Sequence, residues 1–378
     1  MFGLRFTPAE QAFRAELRAW LAANAPGDPP PADEERRRDW QRAWQRRLAD
    51  AGYLAIHWPR AYGGRDAGLA EQVIYSEEMA RVRAPEILDA VALNIVAPVL
   101  IHAGTDAQRA HHLPRIRCAE EVWCLGFSEP NAGSDLASLR TRAVRDGDCW
   151  VVSGQKVWSS KAHFADWLLF LARTAADAPR HKGITCLAVS MQSAGVTWRP
   201  LVQLSGRREF NEVFLEEVRV PAANTIGPVH GGWPLIRTAL AHERGTLWAF
   251  DFKVRLQNLA RAAVDLYRTG GRAVDRDALR DQVAKAWVES EVFAAHTMRV
   301  LPALHHGAAE AAALTKVLGS EIHQRTCELA MVLRGPMASV RDEEWHEQYL
   351  YSRSVTISSG TSEVLRNVLA QALGLPRR

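Results

Sequence analysis

The chain has 378 residues, a net charge of +4 at pH 7 and a hydrophobic fraction of 47%. This length predicts two or three domains, and the mild charge without a long basic run argues against nucleic-acid binding. Five cysteines without a Cys-x-x-Cys pair predict reduced thiols rather than a disulfide framework, and no metal ligands are predicted. The amino terminus is charged too early for a signal peptide and no stretch is apolar enough to span a bilayer, so we expect a cytoplasmic protein with no membrane segment.

The first part of the chain is predicted to be helical. Thr7 to Glu10 form a capping box with proline at the first helical position, and apolar residues recur on one face of the helix that follows. A proline-rich break over residues 27–33 precedes a second amphipathic helix. Further helices are predicted from about Leu69 to Arg83 and from about Pro85 to Ala103, the latter ending at Gly104.

The middle of the chain, from about Glu121 to Val220, alternates like strands. Asp-Gly-Asp at 146–148 and Ser-Gly at 153–154 read as turns between antiparallel strands. After Gly231 the pattern is helical again nearly to the end. The predicted fold class is therefore α+β, with an N-terminal helical domain (1–118), a central antiparallel β domain (119–226) and a C-terminal four-helix-bundle-like domain (227–378).

One segment of the β region has the features of a flavin platform. An extended run ending at Phe127 leads into Ser-Glu-Pro-Asn-Ala-Gly-Ser-Asp (128–135), a loop of short hydrogen-bonding side chains. Further on, strand alternation places Trp158 and Ser160 on one face. A flat aromatic ring beside a hydroxyl suits a flavin, because the ring can form a wall for the isoalloxazine and the hydroxyl can donate to N5.

Four segments in order resemble the acyl-CoA dehydrogenase family over almost the whole chain: 51–64, 127–174, 210–235 and 349–377. The resemblance implies FAD-dependent α,β-desaturation of an acyl thioester. The thioester would be carried on coenzyme A or on an acyl carrier protein, and the reduced flavin would be reoxidised by an electron-transfer partner. It also implies a homo-oligomer, a tetramer or a dimer, built through the C-terminal domain.

The resemblance also implies which residues bind the cofactor and substrate. Phe127 and Ser128 would meet the isoalloxazine through backbone groups, and the stretch Trp158, Ser159 and Ser160 through a ring face and a hydroxyl. Gly360, Thr361 and Ser362 would begin a helix whose free N–H groups suit a phosphate or the ribityl chain. Ser134 would touch the pyrophosphate or the carrier arm of the substrate. The chain lacks the Arg-x-x-Phe-Gly and Gln-x-x-Gly-Gly stretches that hold the adenine half in many members, so a variant adenine site is expected.

The α-proton needs a carboxylate base in a dry pocket. In many family members this glutamate precedes the C-terminal Gly-Thr, but Ser359 occupies that position here. The family's second position, on the helix after the β domain, holds Glu243, and the adjacent Arg244 would lie near the pantetheine. Helical neighbours of Glu243, at 236, 239, 240, 247, 250 and 254, are all apolar, so the carboxylate is predicted to face the core. A structural ion pair with another arginine is the alternative.

Two other carboxylates have structural interpretations. Glu363 lies in the first turn of the last helix and is predicted to complement the helix dipole, and Glu129 is predicted to brace its loop. Three functional alternatives stay open at this point: a flavin oxidase or oxygenase on the same fold, an enzyme for carrier-protein-bound substrates, and a non-catalytic subunit paired with an active homologue.

Overall fold

The computed structural model describes residues 6–242, 248–269, 276–305, 308–335, 338 and 344–376. Backbone contacts divide the chain into two compact units. We call the first the β unit; it comprises Ala12–Gln72 and Arg81–Leu240 and contains the sheet. The second, which we call the helical unit, comprises Met1–Gln11, Val73–Ala80 and Ala241–Arg378.

Five α-helices precede the sheet: α1 (Pro8–Asn24), α2 (Glu34–Asp50), α3 (Leu69–Arg81), α4 (Ala97–Ala103) and α5 (Asp106–Arg117). The capping box is confirmed, because the Thr7 N–H donates to Glu10 Oε2 at 2.6 Å and the Glu10 N–H donates to Thr7 Oγ1 at 3.3 Å. Within the β unit, Trp20 lies against Trp44 and Tyr53, with ring centroids 5.8 and 5.1 Å away. The apolar stripe predicted for α1 is thus buried against α2 and the loop beyond it.

The helix predicted from Pro85 begins late and starts with a π-helical turn, Ala92–Val96, that runs into α4 and ends at Gly104. Asp89 explains this start: its fully buried carboxylate accepts the N–H groups of Ala92 (2.9 Å) and Trp123 (2.6 Å). A carboxylate that accepts backbone N–H groups at the beginning of a helix acts as its cap. The prediction that the helix starts near Pro85 was wrong, because residues 85–88 precede the Asp89 cap and are not helical.

The sheet has eight strands: β1 (Trp123–Gly126), β2 (Arg142–Asp146), β3 (Cys149–Ser160), β4 (Trp167–Arg173), β5 (Ile184–Ser190), β6 (Val196–Leu201), β7 (Phe210–Pro221) and β8 (Thr225–Ile226). The order is β6-β7-β3-β2-β4-β5-β8, and β1 pairs with β4. All pairs are antiparallel except β1–β4 and β2–β4, so the predicted antiparallel β region is confirmed with two parallel contacts.

Residues 153–154 were predicted to form a turn, but β3 runs straight through them and shows only a register shift there. Gly154 is required for a different reason. A Cβ atom at this position would lie 2.4 Å from Thr141 Oγ1 and 2.7 Å from Thr141 Cα, so the glycine permits close approach of two chain segments. The turn predicted at 146–148 does form, with Gly147 at φ +54°.

The C-terminal part is helical, as predicted: α6 (Gly232–His242), α7 (Trp248–Thr269), α8 (Arg276–His305), α9 (Ala309–Arg334), α10 (Glu344–Val355) and α11 (Ser362–Ala372). In the helical unit α9 is central and packs against α7, α8, α10 and α11. Its Gly319 lets Phe252 and Phe293 approach, and both rings join Ile322 in a buried cluster. Among the helices described, none combines the length and apolarity that crossing a membrane requires.

Candidate active site

The loop that follows β1 is fixed by a buried lysine–glutamate pair. Lys156, on β3, is fully buried, and its Nζ lies 2.9 Å from Glu129 Oε1 and 3.3 Å from the carbonyl oxygen of Phe127. Glu129 also accepts the backbone N–H groups of Arg140 (2.7 Å) and Thr141 (2.8 Å). One carboxylate thus ties both ends of the loop to the sheet, which confirms the bracing role predicted for Glu129.

The pair is ionised at neutral pH. Burial lowers the pKa of Lys156 to about 8, against the opposing effect of Glu129. Burial by itself raises the pKa of Glu129, but the Lys156 charge and the hydrogen bonds to this carboxylate outweigh it, and the pKa lies below its ordinary value. A buried ion pair of this kind needs every remaining polar atom to be bonded, and the two backbone N–H groups meet part of that need.

Trp158 sits on a β-bulge. The β3–β7 register slips between Lys156 and Ser159, and Trp158 takes φ +63° with its side chain 60% exposed. Its ring lies edge-on to Phe210, with centroids 6.2 Å apart. Ser159 is fully buried and Ser160 is partly exposed, so beyond the bulge the strand alternates as predicted. A tryptophan whose backbone is in the left-handed region carries a conformational strain of about 1–3 kcal/mol, and such strain concentrates at functional sites.

Several donors on the bulged strand and on the loop after β1 have no partner among the described residues. The Ser128 carbonyl accepts the Val157 N–H at 3.0 Å, but among the described residues neither the N–H nor the hydroxyl of Ser128 is bonded. The hydroxyls of Ser134 and Ser160 make no hydrogen bond within that part of the chain either, and the Ser159 hydroxyl is buried without one. Unpaired donors beside an exposed aromatic face suit a planar ring that has hydrogen-bond acceptors along its edge, so these residues fit a flavin.

The turn before α11 carries positive character. Thr361 caps the helix by accepting the Val364 N–H at 3.2 Å, and Gly360 has φ +97°. The fully buried Lys316 donates to the Gly360 carbonyl oxygen at 2.9 Å. Ser362 is buried, and its hydroxyl has no partner among the described residues. A helix N-terminus with a nearby ammonium and a free hydroxyl fits an anionic group such as a phosphate.

Ser134 lies exposed at the tip of its loop, beside two arginines. Arg180 pairs with Asp135, and Arg173 donates to the Ala137 carbonyl oxygen at 2.7 Å. These two guanidinium groups fix this end of the loop. Glu363 is exposed, and hydrogen bonds from its own N–H and from Thr361 lower its pKa, which agrees with the capping interpretation.

Glu243 and Arg244 lie outside the described residues. The helix α6 before them ends at His242 and α7 begins at Trp248. Of the stripe predicted around Glu243, Ile236 is buried and Val254 is partly buried. The predicted flavin-ring residues belong to the β unit, and Gly360, Thr361 and Ser362 belong to the helical unit.

Sequence reasoning missed Lys156 and Lys316 as parts of these two sites. Both are fully buried, and each bonds the backbone of a predicted cofactor segment. The available signal was that the chain has few lysines and that both are followed by apolar residues, Lys156 by Val-Trp and Lys316 by Val-Leu. A lysine in such a run is costly to bury unless it has a partner.

Comparison with known proteins covers the whole chain. Three family models match: the N-terminal domain of acyl-CoA dehydrogenase over residues 7–120, the middle domain over 124–218 and the C-terminal domain over 230–374. The acyl-CoA dehydrogenase IpdE1 of Mycobacterium tuberculosis is 38% identical over 379 residues, covering 97% of each chain. The acyl-CoA dehydrogenase FadE29 of the same organism is 32% identical and covers 98% of each chain.

Solved structures agree with these matches. A structure described as the Tcur3481-Tcur3483 steroid ACAD superposes with a TM-score of 0.84 at 31% identity, and the alignment covers 100% of each chain. The ChsE4-ChsE5 complex from Mycobacterium tuberculosis gives a TM-score of 0.83 at 29% identity, also with complete coverage of both chains.

Proposed function

The chain belongs to the acyl-CoA dehydrogenase family of flavin-dependent oxidoreductases, and from this premise we propose that it desaturates an acyl-CoA between the α and β carbons, with FAD as cofactor and Glu243 as base. The observation that carries the proposal is the Trp158 bulge. It presents an exposed ring on β3, together with donors of Ser128 and Ser160 that have no partner among the described residues, and Ser128 begins the loop that the Lys156–Glu129 pair holds.

The proposed mechanism gives each group one task. Bound FAD would supply the hydride acceptor, and the residues that hold its ring are Phe127, Ser128, Trp158 and Ser160. Glu243 would take the α-proton as charge develops on the thioester carbonyl, which requires a carboxylate kept dry by the apolar neighbours predicted around it. Arg244 and Ser134 would bind the pantetheine arm, and Thr361 and Ser362 would bind a cofactor phosphate or the ribityl chain.

For the substrate, we propose a bulky, steroid-derived acyl-CoA. Support comes from the structure described as a steroid ACAD, which matches along the whole chain at 31% identity. The base position on the long helix, rather than before Gly360, is compatible with this choice because it leaves residue 359 as a small serine. Electrons would leave through an electron-transfer partner.

The experiment is an anaerobic flavin spectrum recorded with a panel of acyl-CoAs, including steroid side-chain thioesters and straight-chain thioesters. We expect the visible absorption band of the oxidised flavin to bleach with a steroid thioester. Glu243→Gln should bind the same thioester without bleaching. Glu363→Gln is the matched control, because this exposed carboxylate is assigned to the helix cap and its loss should leave bleaching intact.

Other results would select the alternatives. Rapid aerobic turnover with peroxide would identify an oxidase, and bleaching only by a carrier-protein thioester would identify that substrate class. If the protein takes up FAD but Glu243→Gln bleaches at the wild-type rate, the assignment of the base is wrong. A protein that takes up no FAD would contradict the proposal as a whole.

A specific observation favours assembly with other chains. On α8, Trp287, Val288 and Val292 are 40–61% exposed, although large apolar side chains on one helix face are usually covered. Two structural neighbours are described by paired names, Tcur3481-Tcur3483 and ChsE4-ChsE5. We therefore propose that this face joins subunits, and that the partner is a second homologous chain or another copy. Native mass spectrometry of the chain produced alone distinguishes the two partners. A stable homo-oligomer supports another copy of this chain, and a monomer supports a second homologous chain.

A further inference from the structure

At the junction between α5 and β1, two histidines and a glutamate converge. His111 and His112 lie on α5, and Glu121 lies in the connection to β1. Potential ligand atoms of the three side chains all lie within 4.8 Å of one another, and His112 and Glu121 are buried. We propose that these residues form a binding site for a divalent transition metal ion of the Zn²⁺ class, separate from the flavin residues and independent of the proposed reaction.

The spacing suits a metal ion. His112 Nδ1 lies 2.8 Å from Glu121 Oε2, and His111 Nε2 lies 3.3 Å from Glu121 Oε1. Tetrahedral bonds of 2.0–2.1 Å place neighbouring ligand atoms about 3.3 Å apart. The 3.3 Å separation equals this value and the 2.8 Å separation is shorter, so small side-chain movements would complete the site. Two imidazoles and one carboxylate are a ligand set suited to Zn²⁺, Co²⁺ or Ni²⁺ rather than to Mg²⁺ or Ca²⁺.

The charge balance also favours a cation. Glu121 has a side chain only 10% exposed, and a buried carboxylate needs strong compensation. The permanent cation nearby, Arg115, holds its Nε 3.9 Å from Glu121 Oε1, too far for a hydrogen bond. Arg115 instead donates through Nη1 to the His111 carbonyl oxygen at 2.6 Å. A metal ion would supply the close positive charge that Arg115 does not.

The surroundings orient two of the ligands. Trp123 Nε1 donates to Glu121 Oε2 at 3.3 Å, which fixes the carboxylate. The His112 ring lies edge-on to Trp123 and Trp167, with centroids 4.9 and 5.0 Å away, so its rotation is restricted. Partners that hold ligands in place commonly raise metal affinity 10–100-fold.

Arg115 is predicted to compete with the metal. Its Nη1 also lies 3.3 Å from His111 Nδ1, and donation there leaves the imidazole proton on Nε2, the atom that faces Glu121. Binding a metal through Nε2 requires that proton to leave or move to Nδ1, and Arg115 then has to turn away. Its side chain is 42% exposed, so little hinders this movement. Removing Arg115 should therefore strengthen metal binding.

The test is calorimetric titration of the chelator-treated full-length protein with Zn²⁺, with Co²⁺ visible absorption as the second readout. We expect one ion per chain at this site. His111→Ala, at a half-exposed position that should not disturb folding, should weaken binding by at least about 100-fold and abolish the cobalt absorption. Arg115→Gln should bind more tightly than wild type. His102→Ala, a change to an exposed histidine outside the cluster, is the matched control and should change nothing.

The opposite results overturn the proposal. If His111→Ala and wild type give the same Zn²⁺ isotherm and the same cobalt spectrum, the three residues form only a polar network. If Arg115→Gln weakens binding, the arginine supports the site rather than competing for it, and the charge argument fails. Because neither readout uses FAD or a thioester, both outcomes are independent of the proposed desaturation.

Discussion

The buried pair of Lys156 and Glu129 allows a quantitative test of how the loop at residues 128–135 is held. Lys156→Met removes the ammonium and leaves a carboxylate that is 8% exposed, with its two backbone hydrogen bonds but no cation. Breaking a buried pair in this way typically costs about 3–5 kcal/mol in the free energy of unfolding. Methionine has a similar length to lysine, so the cost comes from the unpaired charge rather than from a cavity.

The double variant Lys156→Met/Glu129→Gln removes both charges. The glutamine keeps one acceptor oxygen, so one of the N–H groups of Arg140 and Thr141 loses its partner, at about 1–3 kcal/mol. We expect the double variant to be more stable than Lys156→Met alone. The coupling energy from a double-mutant cycle should then be at least about 2 kcal/mol.

The assay is urea denaturation of wild type, both single variants and the double variant at pH 7, with FAD affinity measured in parallel. A coupling energy near zero would refute the reasoning, since it would mean that each residue finds compensation without the other. The FAD affinity separates an effect of Lys156 on stability from an effect on the position of the Phe127 carbonyl oxygen. If Lys156 sets the Phe127 carbonyl, the double variant should regain stability but still bind FAD more weakly than wild type.

Three further predictions concern single residues. Gly154→Ala should lower the free energy of unfolding, measured by urea denaturation, by about 1–3 kcal/mol, because the new Cβ would collide with the Thr141 backbone. The control is Gly147→Ala, whose Cβ would meet no atom within 4 Å and which should cost only about 1 kcal/mol because of its positive φ. Trp158→Ala should reduce the FAD affinity roughly tenfold in a fluorescence titration and leave the melting temperature nearly constant. Trp198, which is also exposed on the sheet, provides the control: an equal loss of FAD affinity in Trp198→Ala would contradict the assignment of Trp158 to the flavin. Burial raises the pKa of Asp89 to about 6, above its unfolded value of about 3.9, so the folded state binds more protons between these pH values. Wild type should therefore lose about 2 kcal/mol of stability relative to Asp89→Asn as the pH rises from 4 to 6. Parallel stability curves for the two proteins over this range would contradict the prediction.

Much of the fold could be predicted from the sequence because local patterns agree with the tertiary structure. The capping box at Thr7, the antiparallel pairing of β4 with β5 and the glycine turn at 147 all form as expected. The helix start near Asp89 was placed too early although its cap, from the Ala92 N–H to Asp89, is local; what the sequence could not indicate is that the same carboxylate accepts the Trp123 N–H, 34 residues further along the chain. Gly154 was misinterpreted for the same reason, since Thr141 on a neighbouring segment imposes the requirement for glycine.

The candidate site shows how far strand periodicity can be used. Lys156, Trp158 and Ser160 have the same parity, so strict alternation predicts that all three share one face. Instead Lys156 is fully buried and Trp158 is 60% exposed, because the bulge between Lys156 and Ser159 changes the phase of β3. The register shift leaves Val157 and Trp158 within the bulge, so alternation cannot be continued from Lys156 to Trp158. The shared face of Trp158 and Ser160 stays a prediction. Lys156, which holds the Phe127 carbonyl, is therefore buried ahead of the bulge, and the bulge itself exposes the ring proposed to face the flavin. A substitution that removed the bulge would be expected to disturb both together.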